Sequence, residues 1–197
     1  MDMTQNKQSV LFLDRDGTIN IDIGPKYVSE PSQIALIPGS GRAIVAAQKS
    51  GFKIGIITNQ AGVAKGFTKP EAFAAIHARL EQLIALEAGV ASFKFDDIRI
   101  CMHHPNDQCG CRKPKSQMLE EALSSLTADH ERSFFIGDKE TDLICARRAG
   151  IRSILVRTGH GAQTETDLAK FPDADPCGVV DALSQAVELA IRLRNAV

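Results

Sequence analysis

Two aspartates one residue apart, Asp14 and Asp16, follow the apolar run Val10-Leu-Phe-Leu13 and precede Gly17-Thr18. Two carboxylates delivered into one small volume can divide the labour of group transfer. One attacks an electrophile such as phosphorus, and the other moves a proton. The competing reading is a polar Asp-Gly turn at the end of a strand. The second stretch with chemistry in it is Cys101-Met-His103-His104-Pro-Asn-Asp-Gln-Cys109-Gly-Cys111. Three thiolates and an imidazole make a closed tetrahedral Zn²⁺ site, with Cys101, His103, Cys109 and Cys111 as ligands and His104 as the spare. The competing reading is three unrelated buried cysteines acting as small hydrophobes. Four protein ligands leave no open position, so a zinc there is structural. It staples the loop 101–111 directly onto Arg112 and Lys113. Cys145 and Cys177 are read as packing residues.

These groups need elements to hold them. Residues 10–13 are uniformly apolar, the mark of a strand buried on both faces. Residues 19–38 carry Gly24, Pro25, Pro31 and Pro38 and read as a long loop. Helical periodicity covers 39–49, 70–88, 116–126, 141–149 and 180–193, with Gly51, Gly89 and Gly150 as stop signals. Further strands are expected at 52–58, 97–102, 133–136 and 153–156. Strands alternating with helices predict right-handed βαβ units, hence a central parallel sheet sandwiched in three layers. Ligands in such sheets sit beyond the carboxyl ends of the strands. Asp14 and Asp16, Thr58 and Asn59, the Cys/His loop, and Asp138 all fall at such ends. No stretch between the first two strands is long enough for a cap domain. Enclosure of a substrate is therefore expected from the loops 19–31, 60–69 and 103–112.

Composition narrows the partners. Lys+Arg 23 against Asp+Glu 24 gives a formal charge of -1, no footprint for nucleic acid or an anionic membrane. There is no Trp and one Tyr, which argues against aromatic platforms for bases. No apolar run approaches the roughly 18 residues of a membrane span. The polar start lacks the apolar centre of a signal peptide. The expectation is a cytoplasmic monomer acting on a small phosphorylated molecule, with residues 1–8 a tail and 9–197 one domain.

The run Asp14-Arg-Asp16-Gly-Thr18 resembles the first motif of the haloacid-dehalogenase-like phosphatases. Thr58, Lys113 in Arg-Lys-Pro, and Gly137-Asp138 with Asp142 resemble the other three, in order. The resemblance implies a Rossmann-like α/β fold and an aspartyl-phosphate on Asp14. It implies that Asp16 protonates the leaving oxygen and then activates water. It also implies Mg²⁺ held by the carboxylates of Asp14 and Asp138 and the backbone carbonyl of Asp16. A hard cation with oxygen ligands fits that set on its own chemistry. Lys113 and the Thr58 hydroxyl would neutralise the phosphoryl oxygens.

The Cys/His loop resembles that of the small, capless, zinc-loop branch of this family. Residues 14–20 (DRDGTIN), Tyr27-Val28, 58–66 (TNQAGVAKG), Gly137-Asp138-Lys139 and Val156-Arg-Thr-Gly159 resemble members that act on heptose bisphosphates. By position, Asp22, Ile23, Gly24, Pro25, Asn59, Gln60, Ala61, Arg112 and Lys139 would line the substrate. Five residues between His103 and Cys109 are nearer to the histidinol-phosphate members, and 24–27 carry extra residues before the Tyr-Val pair. Residues 58–66 also resemble polynucleotide 3′-phosphatases, which lack the zinc loop. A silent, zinc-stabilised binding protein is the alternative from another class.

Overall fold

The computed structural model describes residues 7–24 and 26–197. Strand β1 (Val10–Leu13) has no exposed residue, as expected for the middle of a parallel sheet. It is flanked by β2 (Lys53–Asn59) and β4 (Phe134–Gly137). Beyond β2 lies β3 (Asp97–Cys101); beyond β4 lie β5 (Arg152–Val156) and β6 (Val179–Val180). The order is β3-β2-β1-β4-β5-β6, and every pairing is parallel. The chain runs outward from β1 to β3, then returns to β4 on the other side of β1. This reversal opens a crevice at the carboxyl ends of β1 and β4.

Alternation along β1 divides the interior. Leu11 and Leu13 face α1 (Ser40–Lys49), α2 (Ala72–Ala88) and α6 (Leu183–Asn195), packing in one cluster with Ile44, Ile76, Leu80, Ile84 and Val187. Val10 and Phe12 face α3 (Gln117–Ser125) and α4 (Glu140–Arg148), with Met118, Leu119, Leu123 and Ala146. The result is three layers with no large cap. Helix α1 has no capping side chain of its own. Glu87, near the end of α2, accepts from the backbone N–H groups of Gly39 and Gly41 at 2.8 and 2.7 Å, fixing the two helices together.

Two elements escaped the sequence reading. Helix α5 (Gly161–Asp167) contains only Gly161 and Thr164 as buried residues, so it carries no apolar stripe to betray it. Strand β6 is two residues long, too short for a period, and lies where the last helix was expected to begin. Gln8 was read with the tail. Its N–H donates to Thr127 at 3.0 Å and its carbonyl accepts from Asp129 at 2.8 Å, so it is tied to the loop before β4. Cys145 is buried as expected, but Cys177 is exposed and is no packing residue. Among the described residues no helix is long and apolar enough to cross a membrane.

Candidate active site

A cavity of about 500 Å³ opens over the carboxyl ends of β1, β2 and β4. Its floor is Asp14, buried in the first turn after β1. Lys113, also buried, spans from the Asp14 carboxylate (2.8 Å) to the Asp142 carboxylate (2.7 Å). Its Nζ donates further to the Ile57 carbonyl at 2.7 Å. Carboxylate oxygens of Asp14, Asp138 and Asp142 lie within 4.8 Å of one another. Asp142 comes from the first turn of α4 and also accepts from the Lys139 N–H at 3.1 Å.

The electrostatics follow from that crowding. Burial, with Asp142 and Asp16 nearby, pushes Asp14 up to about 6 despite Lys113. Burial, then repulsion from Asp14 and Asp142, pushes Asp138 up to about 8. Burial works against the charge on Lys113, but its two carboxylate partners outweigh it and raise its pKa. Asp138 Oδ1 is buried without a hydrogen-bond partner, although its Oδ2 accepts from the His160 N–H at 2.8 Å. Three buried carboxylates around one small volume, one with an unused oxygen, suit a hard divalent cation.

Asp16 stands differently. Burial raises its pKa, but the Arg15 guanidinium and donors from Asn20 and Gln60 more than reverse this and hold it low. Arg15 Nη2 donates at 2.8 Å, Asn20 Nδ2 at 2.8 Å and Gln60 Nε2 at 2.7 Å. Gln60 Nε2 also reaches the Thr58 hydroxyl at 2.9 Å, tying the Asp16 carboxylate and that hydroxyl into one network.

Of the expected substrate residues, Asp22, Ile23, Gly24, Asn59, Gln60, Ala61, Arg112 and Lys139 all line the cavity, while Pro25 lies outside the described residues. Two side chains are already committed. Asn59 exchanges two bonds of 3.1 Å with the Lys113 backbone, and the Gln60 amide nitrogen is on Asp16. Two of the three expected enclosing loops contribute less than expected. Of 103–112 only Arg112 reaches the cavity, and of 60–69 only Gln60 and Ala61 do. The loop 19–31 does wall the cavity as expected, through Asp22, Ile23, Gly24, Lys26, Tyr27 and Val28, and Glu140 and Thr141 at the start of α4 complete it. The far loop still contributes from behind. Phe67 stacks on Tyr27 at 5.8 Å, and Lys65 Nζ donates to the Tyr27 hydroxyl at 2.8 Å.

The loop after β5 was missed as a support of the site. A Cβ on Gly17 or on Gly159 would fall 2.3 Å from Asp138 Oδ2, so both positions need glycine for the backbones to meet at that carboxylate. The His160 ring, on the same loop, stands 3.4 Å from Asp22. Arg15 and Asn20 were missed as partners of Asp16; only their place in the motif could have marked them.

The Cys/His cluster lies off the cavity. Cys101 Sγ stands 3.3 Å from Cys111 Sγ, 3.9 Å from Cys109 Sγ and 3.6 Å from His103 Nδ1, which is 3.1 Å from Cys111. Those separations bracket the roughly 3.8 Å edge of a tetrahedron with Zn–S bonds of about 2.3 Å. Burial and the two neighbouring sulfurs push the Cys111 thiol up to about 12, a penalty a bound cation would remove. His104 Nδ1 instead accepts from the Asn106 N–H at 3.2 Å.

Comparison with known proteins agrees with this architecture. A HAD-hydrolase-like family model matches residues 110–186. The chain is 42% identical over 190 residues to D-glycero-D-manno-heptose-1,7-bisphosphate 7-phosphatase of Chlorobaculum tepidum, covering 90% of this chain and 92% of that one. It is 39% identical over 175 residues to D-glycero-beta-D-manno-heptose-1,7-bisphosphate 7-phosphatase of Photorhabdus laumondii, covering 85% and 89%. The crystal structure of D,D-heptose 1,7-bisphosphate phosphatase from B. bronchiseptica, complexed with magnesium and phosphate, superposes with a TM-score of 0.82 at 30% identity, covering 93% and 98%. Sequence, sheet order and cavity together place this chain in the haloacid-dehalogenase-like phosphatases, the family of these heptose-bisphosphate phosphatases.

Proposed function

We propose that the chain hydrolyses the 7-phosphate of D-glycero-D-manno-heptose 1,7-bisphosphate through an aspartyl-phosphate on Asp14. The observation that carries the chemistry is the Asp14 carboxylate at the cavity floor, ion-paired to buried Lys113 and grouped with Asp138 and Asp142. The relatives of nearly equal length supply the substrate.

In the first step an Asp14 oxygen attacks phosphorus and the ester P–O bond breaks. The leaving sugar oxygen takes its proton from Asp16. Asp16 is held ionised before substrate arrives, and an approaching phosphate dianion favours its protonation. In the second step water attacks phosphorus, Asp16 takes the water proton, and the acyl-phosphate P–O bond breaks to restore Asp14 and release phosphate. Lys113, with the Thr58 hydroxyl, sets positive charge and a donor beside the transferring group. Arg112 and Lys139 line the wall where the sugar and its second phosphate would lie. Asp14 and Asp138, with the Asp16 carbonyl, would hold Mg²⁺. Bound there, the ion neutralises phosphoryl oxygens and the buried carboxylates. Cys101, His103, Cys109 and Cys111 would hold a structural Zn²⁺. Residues 9–197 would act as one domain and as a monomer, with the cytoplasm as its place of work.

The short zinc loop favours histidinol phosphate as the second reading. Phosphate release would be compared, with Mg²⁺, on both anomers of the heptose bisphosphate, on histidinol phosphate and on a 3′-phosphorylated oligonucleotide. The proposal expects the highest kcat/KM on one heptose anomer. Preference for histidinol phosphate or the oligonucleotide would overturn the substrate while leaving the chemistry, and no phosphate release from any of them would overturn both.

A further inference from the structure

Arg15 is wholly buried, one residue from the proposed nucleophile. Its Nη2 lies 2.8 and 3.1 Å from the two Asp16 oxygens, and its Nε lies 3.3 Å from one of them. The guanidinium carbon stands 5.9 Å from the centre of the Phe73 ring, and that ring stacks on His77 at 6.0 Å. Arg15 Nη1 and His77 Nε2 are both buried without a hydrogen-bond partner in the protein. Taking a guanidinium out of water costs several kcal/mol unless its partner is well placed. An ion pair kept only for stability would not leave one nitrogen unused. What this arrangement does accomplish is geometric. A planar fork grips both oxygens of one carboxylate, which a lysine cannot do. Asn20 and Gln60 grip the same carboxylate from β1's following turn and from the end of β2.

We propose that Arg15 is the positioning residue of Asp16, fixing the plane of its carboxylate against the leaving oxygen, and that α2 holds Arg15 in place through Phe73 and His77. This rests on the reading of Asp16 as proton donor. Proton donation matters most for a strongly basic leaving group such as a sugar alkoxide. It matters little for p-nitrophenolate, which departs without a proton. A residue that only supports the fold would slow both alike.

The test is leaving-group release in a single turnover by the full chain with Zn²⁺ and Mg²⁺, on heptose bisphosphate and on p-nitrophenyl phosphate. Arg15→Met should lose about 100-fold on the sugar phosphate and less than about 5-fold on p-nitrophenyl phosphate, in the range of a misplaced general acid. Arg15→Lys should lose about 10-fold on the sugar phosphate only. Equal losses on the two substrates, or less than about 3-fold on the sugar phosphate, would overturn the proposal. If Arg15→Met does not fold, Phe73→Leu decides. It should show a smaller loss, about 5-fold, confined to the sugar phosphate, and an equal loss on both would overturn the proposal. Asp16→Asn separates the two ways of failing. Substrate-selective loss there without it in Arg15→Met sinks the positioning role alone. Full activity of Asp16→Asn sinks the reading of Asp16 and the positioning role with it.

Discussion

Cys101, at the end of β3, and His103, Cys109 and Cys111, on the loop that follows, make contacts that span at most ten positions in the chain. Lys113 and Asp14, in the cavity, are 99 positions apart and meet only because β1 and the sheet bring them together. Both clusters crowd acidic groups until burial and mutual repulsion push some of them up: Cys111 to about 12, Asp138 to about 8. Both therefore call for a cation. The local cluster has no cation paired to its thiols among the described residues and lies off the cavity. The long-range cluster contains Lys113 and faces a cavity. A metal in the first would order a loop, whereas a metal in the second would stand beside the cavity where chemistry is proposed.

The sharpest way to press that contrast is Asp14→Asn. It should reduce turnover about 10⁴-fold or more, the scale of removing a nucleophile. Zinc content should be unchanged. Because the substitution removes a carboxylate from a group of three, thermal stability without Mg²⁺ should be equal or higher. Residual phosphatase activity within about tenfold of the parent would remove Asp14 from the role of nucleophile.

Zinc removal comes next. Metal analysis should find about one zinc per chain. A ligand at a thousandfold excess over its Kd contributes about 4 kcal/mol, and a chain of this size shifts by about 2–4 °C per kcal/mol. Chelation, or Cys109→Ser, should therefore lower Tm by about 10 °C. Activity should fall as well, because the loop ends on Arg112 and Lys113. Zinc-free protein with unchanged Tm and turnover would break the comparison at its local half.

The effect of pH on Mg²⁺ is smaller and tests the other half. Asp14 and Asp138 stand at about 6 and about 8 against an ordinary 3.8. Between roughly pH 4 and 8 the Mg²⁺-free fold keeps protons that the unfolded chain has released. Its stability is therefore fully present below about 4 and declines as pH rises through that window. Mg²⁺ replaces those protons, so it should raise the Tm of zinc-loaded protein by more at pH 8 than at pH 5. An equal rise at both would mean that these carboxylates do not take the ion.

The same division explains what could be read from the chain before its fold. The thiol loop is legible because its ligands are spaced in sequence as they are in space. Strand β1 is legible because four buried apolar residues run into Asp14. Lys113 carries no periodic signal, and only its motif Arg-Lys-Pro marks it. Arg15 carries no local sign that it is wholly buried, because the Phe73 ring beside it is supplied only by folding. Tyr27 was in view as a residue but its stacking on Phe67 was not, since nothing local relates positions forty apart. Helix α5 buries only Gly161 and Thr164, so no apolar stripe exists to be read.

Asn59 joins the two clusters, and the smallest effect is expected there. It pairs across the sheet with Cys101, a zinc-cluster residue, while its amide exchanges two bonds of 3.1 Å with the Lys113 backbone. Asn59→Ala leaves both Lys113 backbone groups without that partner, at a cost of about 1–3 kcal/mol. It touches neither the thiols nor the Asp14 carboxylate, so zinc content should hold at one per chain and Tm should fall by only a few degrees. Turnover should drop about tenfold, because the chain that carries Lys113 loses its anchor on β2. If zinc places Lys113 through the same short stretch of backbone, the losses in kcat from Cys109→Ser and Asn59→Ala should combine to less than their product. Full multiplication would show the thiol cluster acting on activity by some other route. Loss of zinc from Asn59→Ala alone would mean that the two clusters are one structural unit, not two joined by a single amide.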